Sequence, residues 1–355
     1  MIQSRLIQLL LAPLSLLYGL GVSLRNAFYR MGLLKSLKFS VPVISVGNLS
    51  VGGAGKTPHV EYLIRLLDGY IRVATLSRGY NRKTRGFIDV KHQHNAAIVG
   101  DEPLQYRRKF PNIGVFVAED RAFAIPQIMM NHPDTQVVLL DDAFQHRTVK
   151  PGLNILLTEY ARPYTRDFLL PSGRLREWRS SAERADIIIV SKCPANLSEA
   201  SAARMRTEIA PLPHQRLYFS CYAYQSPYYA FNPRYRLRLD ENLDVLLISA
   251  IANTDYLIEY LEAQTGAIRS LAFADHHYFT KEDISGLLRA FQQMDSPRKV
   301  IITTEKDATR LELHRDFLIQ QRLPIFVLPA GVEILFNEGS RLDEQIRQYL
   351  LNFKV

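Results

Sequence analysis

Residues 50–57 of this 355-residue chain read Ser-Val-Gly-Gly-Ala-Gly-Lys-Thr and follow an apolar run at 41–46. A strand, a glycine-rich turn and a Lys-Thr pair opening a helix together have the layout of a phosphate-binding loop. Glycine is required there because backbone N–H groups must converge on phosphate oxygens, and a Cβ blocks that approach. The helix N-terminus adds a dipole that favours anions. In this reading Ser50, Val51, Gly52, Gly53, Ala54 and Gly55 wrap the phosphates of a nucleotide. Lys56 reaches the β- and γ-phosphates, and the Thr57 hydroxyl holds Mg²⁺. Ser50 stands where the pattern usually has glycine. The competing reading, a plain turn before a helix, does not account for strand, loop and helix occurring together.

A chain of this length suggests two domains, or one with a large insertion. Two cysteines, Cys193 and Cys221, suggest neither a disulfide framework nor a zinc site. They fit a reducing, cytosolic setting. The net charge of +9, from 44 basic and 35 acidic residues, favours anionic partners. The basic residues form no tail, and no nucleic-acid-binding pattern stands out, so an anionic lipid surface explains the charge better than nucleic acid.

Residues 6–24 form a nearly uncharged apolar stretch, followed by Arg25, Arg30, Lys35 and Lys38 with Phe28 and Tyr29 between them. No small-residue cleavage site argues for a signal peptide. Gln8, Pro13, Ser15 and Gly19 weaken it as a membrane span. An apolar face with a basic flank predicts a helix lying in a membrane interface. A helix packed on its own domain is the alternative.

Apolar strands alternating with helical stretches predict an α/β core with a parallel sheet. The predicted strands are 41–46, 73–77, 114–117, 137–141, 154–158 and 187–191, with a helix at 57–67. Near residue 211 the pattern changes, and 217–229 reads as extended linker strands. A second, smaller α/β domain follows, with strands at 245–249 and 299–303 and helices at 255–265 and 281–294. A closing helix covers 341–352. The expected division is 1–35 for the interface helix region, 36–212 for the core, 213–240 for the linker, 241–335 for the smaller domain and 336–355 for the closing helix.

Asp141 and Asp142 end an apolar strand downstream of the loop, where the second metal-binding element of phosphate-loop enzymes lies. Asp101 and Glu102 open a helix. They read either as a general base with a neighbour near the metal, or as a helix cap, and spacing alone favours the cap. Asp275, His276 and His277 read as a polar loop or as a carboxylate-tuning histidine. The segments 77–83 and 171–177 carry arginines suited to phosphates. Ser-Lys-Cys-Pro at 191–194 lacks the aspartate that pairs with guanine, so ATP is favoured over GTP.

Taken together, the blocks PVISVGNLSVGGAGKTP (42–58), LSRGYNR (76–82), GDEP (100–103), AEDR (118–121), LDDAFQHR (140–147), LNILL (153–157), PSGRLRE (171–177) and FADHH (273–277) resemble the tetraacyldisaccharide 4′-kinase family. They cover most of the chain. The resemblance implies a phosphate-loop α/β core and a smaller C-terminal domain on a two-stranded linker. It also implies transfer of the ATP γ-phosphoryl group to the 4′-hydroxyl of a lipid A disaccharide 1-phosphate precursor. The reaction would occur at the cytoplasmic face of an inner membrane, with the enzyme peripheral or monotopic and in need of no obligate protein partner. It implies catalytic roles for Lys56, Asp142, Asp101 as base and His276 as its partner. Thr57, Glu102, Asp141 and Asp142 would serve the metal. Asn48, Arg78, Arg121, His146, Arg176 and Glu177 would meet the acceptor. A nucleotide-hydrolysing switch and a non-enzymatic membrane scaffold are the competing classes.

Overall fold

The structure, a computed structural model, describes residues 5–354. Residues 1–4, which begin the expected 1–35 segment, and residue 355 lie outside the described residues.

Two sheets organise the chain. The larger has nine strands in the order Ala330–Ile334, Arg216–Tyr224, Ile187–Ser191, Leu153–Glu159, Val43–Asn48, Val137–Asp141, Val73–Ser77, Gly114–Val117 and Ile88–Asp89. Its seven inner strands pair in parallel, and the two edge strands run antiparallel. The inner strands other than Arg216–Tyr224 are mostly buried on both faces, which is why they read as continuous apolar runs. The first strand lies two residues further on than expected, because the buried positions continue through Gly47 and Asn48.

The second sheet has six strands in the order Asn232–Arg236, Tyr228–Tyr229, Ile325–Leu328, Lys299–Thr304, Asp244–Ser249 and Ile268–Ala272. It has its own apolar clusters around Leu246, Ile248, Ile301 and Leu287. Most of the segment expected as linker is sheet. Arg216–Tyr224 is a full strand of the large sheet, parallel to Ile187–Ser191 and antiparallel to Ala330–Ile334. Its aromatic residues pack as sheet residues do, half of them inside the core. The chain thus leaves the large sheet along one strand and returns along the adjacent one. The closing helix Gly339–Leu351 packs back on the large sheet through Leu342 and Ile346.

The N-terminal helix Arg5–Arg30 is amphipathic in an inverted sense. Its inner side is small and polar. Ser15 Oγ donates to Ser172 Oγ at 2.8 Å, and Trp178 Nε1 donates to the Gly19 carbonyl at 3.1 Å. A Cβ on Gly19 would lie 2.4 Å from the Trp178 ring, so only glycine permits this contact. The outer side exposes Leu9, Leu10, Leu16, Leu17 and Leu20.

Candidate active site

The phosphate loop connects Val43–Asn48 to the helix Lys56–Leu67. Gly52 has φ 107°, and an added Cβ would strike the Arg174 guanidinium at 2.1 Å. Arg174 holds the loop from outside: Nε and Nη2 donate to the Val51 carbonyl at 3.0 and 2.7 Å. Ser50 bridges to Leu175. The segment 171–177 is therefore a strap over the loop, tied on its other side to the N-terminal helix.

Lys56 is preplaced. Its Nζ donates to Asn48 Oδ1 at 3.2 Å and lies 3.5 Å from Asp142 Oδ1. Arg176 joins the same two partners, at 2.6 Å to Asn48 Oδ1 and 2.9 Å to Asp142 Oδ1. Asn48 is buried, so it orders the two cations. Burial alone would raise the Asp142 carboxyl, but Lys56, Arg176 and Arg121 outweigh it and hold it well below the usual range. Asp142 has φ 50°, Lys192 φ 57° and His276 φ 62°. Each such left-handed residue costs roughly 1–2 kcal/mol, and backbone strain of this kind is found at functional sites.

Asp141 is different. Its Oδ2 accepts from the Tyr106 hydroxyl at 2.9 Å, while Oδ1 is buried without a partner. Burial, followed by repulsion from Glu102, pushes its carboxyl up to about 7 despite Lys56. A divalent cation fits such a place, because it would partner the orphaned oxygen and offset the crowding of Glu102, Asp141 and Asp142. Among the described residues no three His, Cys, Asp or Glu side chains form a closed cage. Mg²⁺ held through one or two carboxylates, with the rest of its shell from phosphate and water, suits that arrangement.

Asp101 begins the helix Asp101–Lys109, and Gly100 occupies the cap position with φ 93°. The Asp101 side chain does not cap. It turns inward to residues of the second sheet's layer. Its Oδ2 accepts from Arg310 Nε at 2.9 Å and also from Arg310 Nη2. His276 Nδ1 lies 3.1 Å from the same oxygen. Lys306 Nζ, a donor only, sits 3.1 Å from His276 Nε2, so Nδ1 carries the proton and donates to Asp101. Asp101 Oδ1 is buried with no hydrogen-bond partner. Burial pushes this carboxyl up, but the bonds from His276 and Arg310 prevail and hold it below its ordinary value. Glu102 pairs with Lys306 at 2.8 Å. His277 turns away to Asp283 at 2.8 Å. The Tyr80 ring covers His276, with centroids 4.6 Å apart.

The other candidates divide. Arg121 is buried, its backbone N–H donates to His146 Nε2 at 3.2 Å, and Arg78 is exposed nearby. Glu177 is buried between Arg25 at 3.2 Å and Arg184 at 2.8 Å, so the structure places it under the N-terminal helix. Sequence reasoning missed Arg310 and Lys306, and read Arg174 only as one of the arginines of 171–177 suited to phosphates. The one available signal was Asp307 three residues before Arg310 on a helix, a spacing that pairs such groups.

Burial, with Arg121 adding to it, pushes His146 down to about 4 from its ordinary 6.5. The unfolded chain then binds that proton more tightly than the folded one. The His146 contribution to stability is therefore flat above pH 6.5 and declines as pH falls towards 4, opposite in sign to that of Asp141, whose carboxyl is pushed up to about 7. Urea midpoints measured across that window should show the decline as a difference between wild type and His146→Gln, which keeps an acceptor for the Arg121 N–H. An unchanged slope in the variant would remove His146 as a cause.

The sequence model of the family described as Tetraacyldisaccharide-1-P 4'-kinase matches residues 7–351. A Tetraacyldisaccharide 4'-kinase of Bacteroides thetaiotaomicron is 43% identical over 353 residues, covering 96% of this chain and 92% of that one. Its counterpart in Flavobacterium johnsoniae is 43% identical over 345 residues, covering 97% and 98%. Among solved structures, LpxK from Aquifex aeolicus in complex with ATP has a TM-score of 0.72 at 27% identity, covering 97% of this chain and 99% of that chain. The match spans both sheets and every residue of the site just described, and this chain belongs to the tetraacyldisaccharide-1-P 4'-kinase family.

Proposed function

We propose that this chain transfers the γ-phosphoryl group of ATP to the 4′-hydroxyl of a tetraacylated disaccharide 1-phosphate, the lipid A precursor. Family membership supports the reaction. The observation that carries the chemistry is the Asp101 carboxylate, with one oxygen saturated by Arg310 and His276 and the other buried and unpartnered. That free oxygen has the lone pair a sugar hydroxyl needs.

In this reading the backbone N–H groups of the loop and Lys56 bind the phosphates. Asn48 and Asp142 keep Lys56 and Arg176 in register with each other, so little reorganisation accompanies charge development. Thr57 and Asp141, with Asp142 or Glu102 as a second carboxylate, would hold Mg²⁺, which when bound supplies charge neutralisation at the phosphate oxygens. Asp101 Oδ1 accepts the proton of the acceptor hydroxyl, and His276 and Arg310 fix Oδ2. Arg78, Arg121 and His146 would meet the acceptor's polar groups, while Glu177 anchors the N-terminal helix beneath them.

The site of action in this reading is the cytoplasmic face of the inner membrane. The helix segment Ile7–Arg30 has mean hydropathy 1.8, and only 11% of its apolar window is buried against the protein. Its polar side is already used by the protein, so its leucine side is left for acyl chains. The basic residues after it suit anionic headgroups. The domain reading follows the two sheets, with Arg216–Tyr224 and Ala330–Ile334 as the paired connection.

Phosphate transfer from labelled ATP to detergent-solubilised lipid A disaccharide 1-phosphate tests the proposal. Wild type should label the 4′ position and Lys56→Ala should not. ATP hydrolysis without transfer would instead indicate a nucleotide switch acting on a protein partner.

A further inference from the structure

His59 is buried near the start of the helix that opens with Lys56, and its ring joins two elements. Nδ1 lies 2.7 Å from the Gly55 carbonyl oxygen and Nε2 lies 2.9 Å from Ser220 Oγ. A carbonyl can only accept, so Nδ1 bears a proton and donates to Gly55. Ser220 sits on Arg216–Tyr224, the strand along which the chain leaves the large sheet. One residue earlier in the loop, Ser191 Oγ donates to the Ala54 carbonyl at 2.9 Å. Two successive loop carbonyls are therefore held by groups behind the loop. In a trans peptide the N–H points opposite to its C=O. Holding the carbonyls of Ala54 and Gly55 thus directs the N–H groups of Gly55 and Lys56 the other way. Successive N–H groups aimed to one side form an anion-binding nest.

We infer that His59 is a positioning residue for phosphoryl transfer. With the helical bond from the His59 backbone N–H to the same carbonyl at 3.3 Å, its ring sets the Gly55–Lys56 peptide so that its N–H faces the phosphates. Through Ser220 it ties that setting to the strand pair that carries the second sheet. The inference rests on the kinase reading for its consequence, but not for its test.

The test is ATP affinity, read with a fluorescent ATP analogue in the absence of acceptor, alongside thermal melting. Asn places an amide N–H where Nδ1 is, Gln moves it one bond further out, and Leu has none. His59→Leu and His59→Gln should weaken ATP binding about tenfold, the scale of one buried hydrogen bond. His59→Asn should restore affinity to within about threefold of wild type. In the transfer assay the KM for the lipid acceptor should not move. Ser220→Ala, a milder variant that does not depend on replacing the ring, should weaken ATP binding about two- to fivefold. Equal losses for Asn and Leu that track a falling melting temperature would reduce His59 to packing and overturn the inference. Wild-type affinity in His59→Leu would overturn it as well. Absence of phosphate transfer by wild type would sink the kinase reading while leaving the binding result to stand on its own.

Discussion

Asp101→Asn lowers kcat by about 10²–10⁴-fold, the usual reach of general-base help. The substitution keeps the shape of the side chain and an oxygen for Arg310, so the neighbouring loop is undisturbed. The dissociation constant for ATP should stay within about threefold of wild type, because the phosphates are held by a different element. The effect belongs to kcat because only in the transition state does the acceptor oxygen give up its proton. Steady-state kinetics with saturating ATP and an acceptor titration separate the two quantities. A kcat within about tenfold of wild type would falsify the base assignment. His276→Ala should cost less, since His276 acts by holding Asp101 Oδ2, a task shared with Arg310. The double variant should lose less than the sum of the two, and additive losses would argue that the residues act independently.

Arg310→Met should destabilise the fold by about 3–5 kcal/mol, the cost of breaking a buried ion pair from one side. The Arg310 side chain has 0% exposure and holds Asp101, Asp307 at 2.8 Å and the Ala250 carbonyl at 3.0 Å. Methionine fills much of the same volume, so the loss reports two carboxylates left buried with too few donors rather than a cavity. A fall in the urea midpoint at unchanged slope measures it. A loss below about 1 kcal/mol would mean that water or Lys306 replaces the guanidinium. The double variant Asp101→Asn with Arg310→Met should recover part of the loss, because it removes one of the stranded charges.

These two residues show where the sequence was legible and where it was not. The phosphate loop announces itself because its chemistry is local: glycines, a lysine and a hydroxyl must be neighbours in the chain. The same holds for Asp141 and Asp142 at a strand end. Asp101 read as a helix cap on local grounds, and only the family resemblance pointed elsewhere. Its partners lie 175 and 209 positions away in sequence, and no periodicity encodes such a meeting. Nothing local marked Arg310 as buried, because burial of a charge is decided by tertiary packing. Residues 217–229 read as extended linker strands from their Tyr and Phe content, but no local signal showed that Arg216–Tyr224 pairs into the large sheet. Ile325–Leu328 went unread because four apolar residues between Pro324 and Pro329 give no period at all.

Trp178 is the single tryptophan of the chain. It lies against Gly19, donates to Ser23 Oγ at 2.9 Å and is 39% exposed beside the leucine-rich side of the N-terminal helix. The protein therefore carries its own optical probe at the seam between helix and strap. Emission wavelength and quenching by brominated lipid would report how far that seam sits from the acyl region, with no label and no mutation. Because Trp178 follows Arg176 by two residues, the same signal would register movements of the strap over the phosphate loop.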